Sequence, residues 1–518
     1  MEDARYWGRW LWGLIAAHLI IWVSIGIWTQ PNGTLDTIEM IMWGLDGQWG
    51  YHKHPPLAGW AAAGAYRLSG GAVWAAGAVG QLAVVTCLWA AWRLGREVLA
   101  PRLAFVGAAL LECCYFFTFP RVEINNQIMM RAFSALAVVT IFLAMRRGRL
   151  WRWALGGLWL GLALLSRYDA ALIGVSILAL SLSHPRARSH WRGAGPYVLG
   201  LVAMIVFSPH LAWLAQNEFA AVSYVFDRSA TEGRLIDHVV HPLRFAGSQL
   251  LSLLPMLFVA APLIHLSWRP AVPRESLARA YLLTVVLGPA GFSTLVSVLL
   301  GVRLKSMWGA SLWTFAGVAL LHTLALSAEP SAWRRLTRRW AIVAGLLVAL
   351  AAGHNTIGPW VRGKGSRVHF PGTSLAREVT AVWHQRIEGD LPIVAGPWWL
   401  AANVSLYAER PIEVYGLLDS RITPQLDDEQ LRGRGGIIVW DAADPDDPTP
   451  RLLAERFPSA ARLAPIRLPQ QTSAPVASIE VGLALVWPQQ QHTAEQRSAR
   501  SVTSGGAKGL SGMDDASR

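Results

Sequence analysis

Apolar residues in this chain run in long blocks, separated by short connectors that are either arginine-rich or mixed polar. A helix needs about 20 mostly apolar residues to cross a bilayer. Eleven stretches approach that length: residues 11–28, 72–92, 103–119, 129–145, 153–166, 170–183, 197–215, 245–268, 280–300, 308–326 and 340–352. The pattern predicts a polytopic α-helical membrane protein, with about eleven transmembrane helices over residues 1–353. The first stretch lacks a small-residue cleavage site and runs into a polar segment, so it reads as a retained span. In the outer loop, residues 29–71, Leu35, Ile38, Met42 and Leu45 recur at three- to four-residue spacing. That spacing predicts a helix over residues 36–45 lying on the membrane surface.

Beyond residue 352 the pattern changes. Residues 374–387 read as an amphipathic helix capped by Thr373 or Ser374. Residues 392–396, 411–416 and 435–440 are short apolar runs bounded by Gly and Pro, as buried strands are, and residues 398–408 read as a helix between two of them. The alternation predicts a small C-terminal extracytoplasmic α/β domain over residues 354–487. Residues 488–518 are rich in Gln, Ser, Gly and Ala and predict a disordered tail. No internal repeat is visible.

Composition supports the membrane reading. Of 518 residues, 53% are hydrophobic and 15% charged, against about 25% charged in soluble proteins. The net charge of +13 comes almost entirely from Arg, since Lys occurs only at Lys53, Lys305, Lys364 and Lys508. The arginines cluster before the first apolar stretch and after the second, fourth, sixth, eighth and tenth. These are alternate connectors on one side, which the positive-inside rule makes cytoplasmic. The N-terminus is then cytoplasmic and the remaining loops face outward. No basic patch interleaved with aromatics points to nucleic acid. Cys87, Cys113 and Cys114 lie inside apolar runs, without metal or disulfide spacing.

The outward loops hold the candidate chemistry. The first carries Asp36, Glu39, Asp46, His52, Lys53 and His54; the others carry Arg121, Glu123, Asn125 and Asn126, then Arg167, Tyr168 and Asp169, then His210 and Asn217, then Arg303, Lys305 and Trp308. Asp36 and Glu39 are three residues apart on the surface helix and can face one side. Two such carboxylates suit deprotonation of a hydroxyl or binding of a divalent cation. Cations beside them suit a phosphate leaving group. Plainer alternatives stand next to these readings: Asp36 as a helix cap, Lys305 as a snorkelling side chain, Arg167–Asp169 as an interfacial ion pair, and His210 as a partner for backbone freed by Pro209. Glu112, inside the third stretch, needs a buried partner that the sequence does not identify.

The run from Asp36 to Leu57, ending GYHKHPPL, resembles the first extracytoplasmic loop of bacterial family 39 glycosyltransferases. That family belongs to the GT-C superfamily and is related to protein O-mannosyltransferases and to the aminoarabinose transferases of lipid A. LGGLWLGLALLSRYDAAL (155–172), EINNQIMM (123–130), SPHLAWLAQN (208–217) and RLKSMWG (303–309) are similar to later family segments, in the same order over roughly residues 1–350. The resemblance implies an inner-membrane enzyme with a periplasmic C-terminal domain. It implies a polyprenyl-phosphate sugar donor, an envelope glycolipid, glycan or protein acceptor, and inversion at the anomeric carbon. Asp36 is the implied general base. The family usually follows this aspartate with glutamate; here Thr37 follows it, and Glu39 is the substitute candidate. Lys53 and His54 would contact the donor phosphate, and Arg167 and Lys305 would neutralise it as it leaves. Tyr168 and Trp308 would line the pocket, with Glu123, Asn125, His210 and Arg303 as further substrate contacts. Relatives often carry an acidic residue where Asn125 and Asn126 stand.

A transporter or flippase for a lipid-linked or anionic substrate is the competing reading. It predicts ionisable groups near mid-membrane and repeated halves, whereas the ionisable groups here fall at one face. A phosphoethanolamine or acyl transferase needs a nucleophile constellation that does not stand out. An inactive homologue with an assembly role is the last alternative.

Overall fold

A computed structural model describes residues 2–118, 122–229, 231, 233–268, 276–327 and 329–489. The tail predicted over residues 488–518 thus lies almost wholly outside the described residues, as does Arg121. The chain divides into two compact units, Met1–Val361 and Arg362–Arg518.

The first unit is helical. Its main helices are α1 (Glu2–Thr29), α2 (Leu35–Asp46), α3 (Leu57–Leu68), α4 (Val73–Val98), α5 (Asn126–Arg147), α6 (Leu150–Ser166), α7 (Ala171–Ser183), α8 (Gly195–Gln216), α9 (Asp237–Ala260), α10 (Leu277–Leu300) and α11 (Pro330–Thr356). Among the described residues seven helices are long and apolar enough to cross a membrane: α1, α4, α5, α8, α9 with its following turn, α10 and α11. An eighth is counted if Tyr168–Ser183 and Pro185–Arg192, bent by 96° at Pro185, form one broken span. Only 17% of the apolar stretch of α8, and of α11, is buried within the protein. The remainder is half-buried or exposed and mostly apolar, which suits an apolar solvent.

The other apolar segments depart from the simple picture. α6 has 17 residues. The third segment is broken into Pro101–Ala109, a tight turn Leu110–Cys113 and Tyr115–Thr118. The tenth is a tight turn, Ser306–Ser311, followed by the short helix Ala316–Thr323. Its end, β2 (Leu324–Leu326), pairs antiparallel with β1 (Ile264–Trp268). A buried polar cluster sits at the break in the third segment. Glu112 turns to His18 of α1, whose Nδ1 lies 2.9 and 3.1 Å from its two carboxylate oxygens. The other ring nitrogen of His18 lies 3.1 Å from Gln81 Oε1 on α4. These are the buried partners that Glu112 requires.

Arginine-rich connectors gather at one end. Glu97 accepts from Arg93 at 2.7 Å, Arg147 at 2.7 Å and Arg146 at 3.1 Å. Arg102 lies 5.9 Å from the Trp7 ring and 3.7 Å from that of Trp333.

The second unit is a five-stranded sheet with helices. β3 (Ile393–Gly396) runs parallel to β4 (Glu413–Gly416) and β5 (Gly436–Asp441); β7 (Ile479–Val486) is antiparallel to β5 and to β6 (Ala461–Leu468). The order is β4-β3-β5-β7-β6. Helix α12 (Gly372–His384) begins two residues before the expected start, with Pro371 and not Thr373 or Ser374 at its cap. The β6–β7 hairpin was not expected. β6 contains Pro465, alternates in exposure and shifts register between Leu463 and Ile466, so it lacks the apolar run of a central strand. Ile393, Tyr415, Leu431, Ile438 and Leu453 form the core.

Candidate active site

The helix expected over residues 36–45 is α2, and more than half of its residues are buried within the protein. The Thr34 hydroxyl caps it by accepting from Thr37 N–H at 3.3 Å, and Gly47, at φ 73°, closes it by donating to the Trp43 carbonyl at 3.0 Å. Asp36 is half-buried and Glu39 is buried one turn later. Lys53 donates to Glu39 Oε1 at 2.5 Å. Its ammonium is 5.9 Å from the centre of the Trp43 ring. The loop that carries Lys53 folds back on the helix: the Tyr51 ring stacks on Trp43 at 4.9 Å, its hydroxyl donates to the Trp43 carbonyl, and Tyr51 N–H donates to the His54 carbonyl at 3.1 Å. The pairing makes Glu39 a partner of Lys53; Asp36 and Asp46 are the other carboxylates of the helix.

Burial and the nearby positive charges of Arg167, Lys53 and His52 hold His54 well below its ordinary pKa of 6.5. His54 is therefore neutral at pH 7. A neutral imidazole offers hydrogen bonds.

The segment before α5 is fastened to the same place. The Asn125 carboxamide caps α5, accepting from Ile128 N–H at 2.9 Å, and donates to Glu123 at 2.9 Å. Ile124 N–H donates to Thr37 Oγ1 at 3.3 Å. Asn126 donates to the Pro55 carbonyl at 3.3 Å and the Ser166 carbonyl at 3.0 Å, joining the Lys53 loop to the end of α6. Thr37 and Asn126 thus serve as joints between segments distant in sequence. Thr37 could have been found from its place in the first turn of α2, but nothing in the sequence indicated what it touches.

After α6 the chain turns sharply. Arg167 Nε donates to Asp169 at 2.7 Å, and its guanidinium lies 5.6 Å from the Trp308 ring. Tyr168 Oη and His210 Nε2 are 2.8 Å apart, and His210 Nδ1 is 2.7 Å from the Trp49 carbonyl oxygen. The Lys305–Trp308 turn closes by a 2.9 Å bond from Trp308 N–H to the Lys305 carbonyl. Gln127 of α5 donates to the Met307 carbonyl at 2.6 Å, and Gln249 of α9 to the Ser306 carbonyl at 2.9 Å. Arg303 is exposed and donates its backbone N–H to Ser229 at 3.2 Å. Partial burial and the charges of Arg228 and Arg303 lower the Lys305 ammonium from its ordinary pKa. Arg228 is a cation that the sequence did not single out.

Asn126 therefore ties the Lys53 loop to the start of the Arg167 turn, His54 lies within reach of the charges of Lys53 and Arg167, and the Arg167 guanidinium lies near Trp308 of the Lys305 turn. Among the described residues no group of three or more His, Cys, Asp or Glu side chains is arranged to hold a metal ion. A concentration of fixed cations and hydrogen-bond donors beside a carboxylate is the arrangement that stabilises negative charge developing on a leaving group while a base takes a proton.

Residues 53–213 match the model of the dolichyl-phosphate-mannose-protein mannosyltransferase family. A lipopolysaccharide core galacturonosyltransferase, RgtB, from Rhizobium johnstonii is 26% identical over 239 residues, which are 43% of this chain and 46% of the relative. The chain thus matches about half the length of that curated relative. ArnT from Cupriavidus metallidurans superposes on 93% of this chain and 98% of its own, with a TM-score of 0.61 and 13% identity in the apo state. With undecaprenyl phosphate bound, the corresponding values are 93%, 98%, 0.60 and 14%. The resemblance to family 39 glycosyltransferases of the GT-C superfamily holds. At this identity the ArnT structures show the fold alone: apolar helices long enough to cross a membrane, followed by a small sheet domain. The family model begins at Lys53 and ends within α8, so it spans the Lys53 loop, the cap of α5, the Arg167 turn and His210.

Proposed function

We propose that this chain is an integral membrane glycosyltransferase that moves a sugar from a polyprenyl-phosphate donor to an envelope acceptor, with inversion. The observation that carries the reading is Lys53 seated on Glu39 of α2, with its loop tied by Asn126 to the end of α6 and His54 under the charges of both Lys53 and Arg167. The ArnT structure with undecaprenyl phosphate supports a polyprenyl-phosphate donor, and the lipopolysaccharide specificity in the name of RgtB supports a glycolipid acceptor. In the proposed reaction an acceptor hydroxyl attacks the anomeric carbon. Asp36 takes the hydroxyl proton, the bond from that carbon to the phosphate oxygen breaks, and polyprenyl phosphate leaves. Lys53 and Arg167 meet the charge that builds on the phosphate, and neutral His54 supplies hydrogen bonding. Lys305 and Arg303 extend the positive surface, and Tyr168 and Trp308 border it. The loop after α1 and the C-terminal unit face the periplasm in this reading, and the shorter apolar segments complete about eleven membrane passes.

The test uses protein reconstituted with a panel of polyprenyl-phosphate sugars and an envelope glycolipid extract. Wild type is expected to release polyprenyl phosphate only when acceptor is present, and Asp36→Asn to lose that release. Full activity in Asp36→Asn would remove Asp36 as the base. A folded wild type inactive with every donor would count against the transferase reading.

A further inference from the structure

His210 is fully buried on α8, one residue after Pro209. The carbonyl that Pro209 leaves without its helical donor, that of Ile205, accepts from the Ser208 hydroxyl at 2.9 Å. His210 is therefore not needed there. Its Nδ1 is 2.7 Å from the Trp49 carbonyl, which can only accept, so Nδ1 carries the proton. In the neutral ring Nε2 then has none, and it accepts from the Tyr168 hydroxyl at 2.8 Å. Both nitrogens are engaged, so neither is left for substrate. The ring stacks at 5.8 Å on Trp213, whose indole N–H donates to Gln48 Oε1 at 3.3 Å. A Cβ on Gly50 would lie 2.3 Å from the Trp213 ring, so the loop is pressed against this helix.

We propose that His210 is a positioning residue, a single ring that fastens two cation-bearing segments to α8: the loop leading to Lys53 through Trp49, and the Arg167 turn through Tyr168. Its orientation sets where Lys53 and Arg167 stand relative to each other. This rests on the transferase reading only for its consequence in turnover; the fastening itself does not.

Three variants separate the two bonds. His210→Asn keeps a donor near the Nδ1 position and loses the bond to Tyr168. His210→Gln keeps an acceptor near Nε2 and loses the bond to Trp49. Tyr168→Phe removes only the hydroxyl. Amide hydrogen exchange on full-length protein in detergent is expected to rise selectively in residues 166–171 for H210N and Y168F, and in residues 47–54 for H210Q. Polyprenyl phosphate release should fall roughly tenfold to hundredfold in each, mainly in kcat, as small misplacements of reacting groups do. Exchange unchanged in both segments, or raised equally in both by every variant, would overturn the proposal. Selective exchange changes in a chain that transfers no sugar would keep the fastening and refute the transferase reading instead.

Discussion

Replacing Lys53 by methionine keeps most of the aliphatic stem and removes the ammonium. The Glu39 carboxylate it leaves behind is 9% exposed, while the Lys53 side chain is 28% exposed. Removing one partner of a buried pair costs about 3–5 kcal/mol. Because Lys53 is partly solvated, the cost falls below that range, to about 2–3 kcal/mol. Adding Glu39→Gln removes the charge that Lys53 balanced, so the double variant should recover most of that stability. Activity should behave differently. If Lys53 meets the leaving phosphate, its loss costs about 10²–10³ in turnover, and Glu39→Gln cannot restore it. The assay is a double-mutant cycle: thermal or denaturant unfolding in detergent beside polyprenyl phosphate release for wild type, K53M, E39Q and K53M/E39Q. A double variant that is both stable and fully active would refute the phosphate role. A K53M protein as stable as wild type would refute the energetic argument for the pair.

Other perturbations test the scaffold. Gly44→Ala places a Cβ 1.9 Å from the Gly59 carbonyl oxygen, so α2 must move off α3; unfolding experiments should show a loss of about 1–3 kcal/mol, with a larger proportional loss of transfer because α2 carries Asp36. Thr37→Glu, which restores the usual family residue, should lower melting temperature and activity below those of Thr37→Val, because Thr37 is 2% exposed and bonded to Ile124 N–H; a gain of activity would contradict that. For His54, the unfolded state binds a proton near the ordinary value of 6.5 and the folded state only well below it, so acidification below 6.5 should destabilise the protein. A melting series between about pH 7 and pH 5 should be flatter in His54→Asn, and equal slopes in the two proteins would reject the burial argument.

Much of the site was visible before the fold because of residue chemistry. Lys is rare in this chain, so Lys53 and Lys305 stood out, and the spacing of Leu35, Ile38, Met42 and Leu45 marked α2. What each group touches was not visible. That Lys53, fourteen residues later, sits on Glu39 was not legible. Asn125 was a substrate candidate and caps α5 while holding Glu123. The partner of Glu112 lies 94 residues away on α1. Such pairings depend on distance in space, and hydrophobic periodicity carries no information about it.

The blocks of apolar residues, the alternation of arginine-rich connectors and the change in pattern after residue 352 determined the class of molecule, because each reports the solvent that its own segment prefers. The tertiary structure decided what local preference cannot: where the third and tenth segments break, which cations share a neighbourhood, and which polar groups are already spent on one another. A helix chooses its environment residue by residue, but an ion pair or a shared hydrogen bond exists only once two distant segments have been packed together.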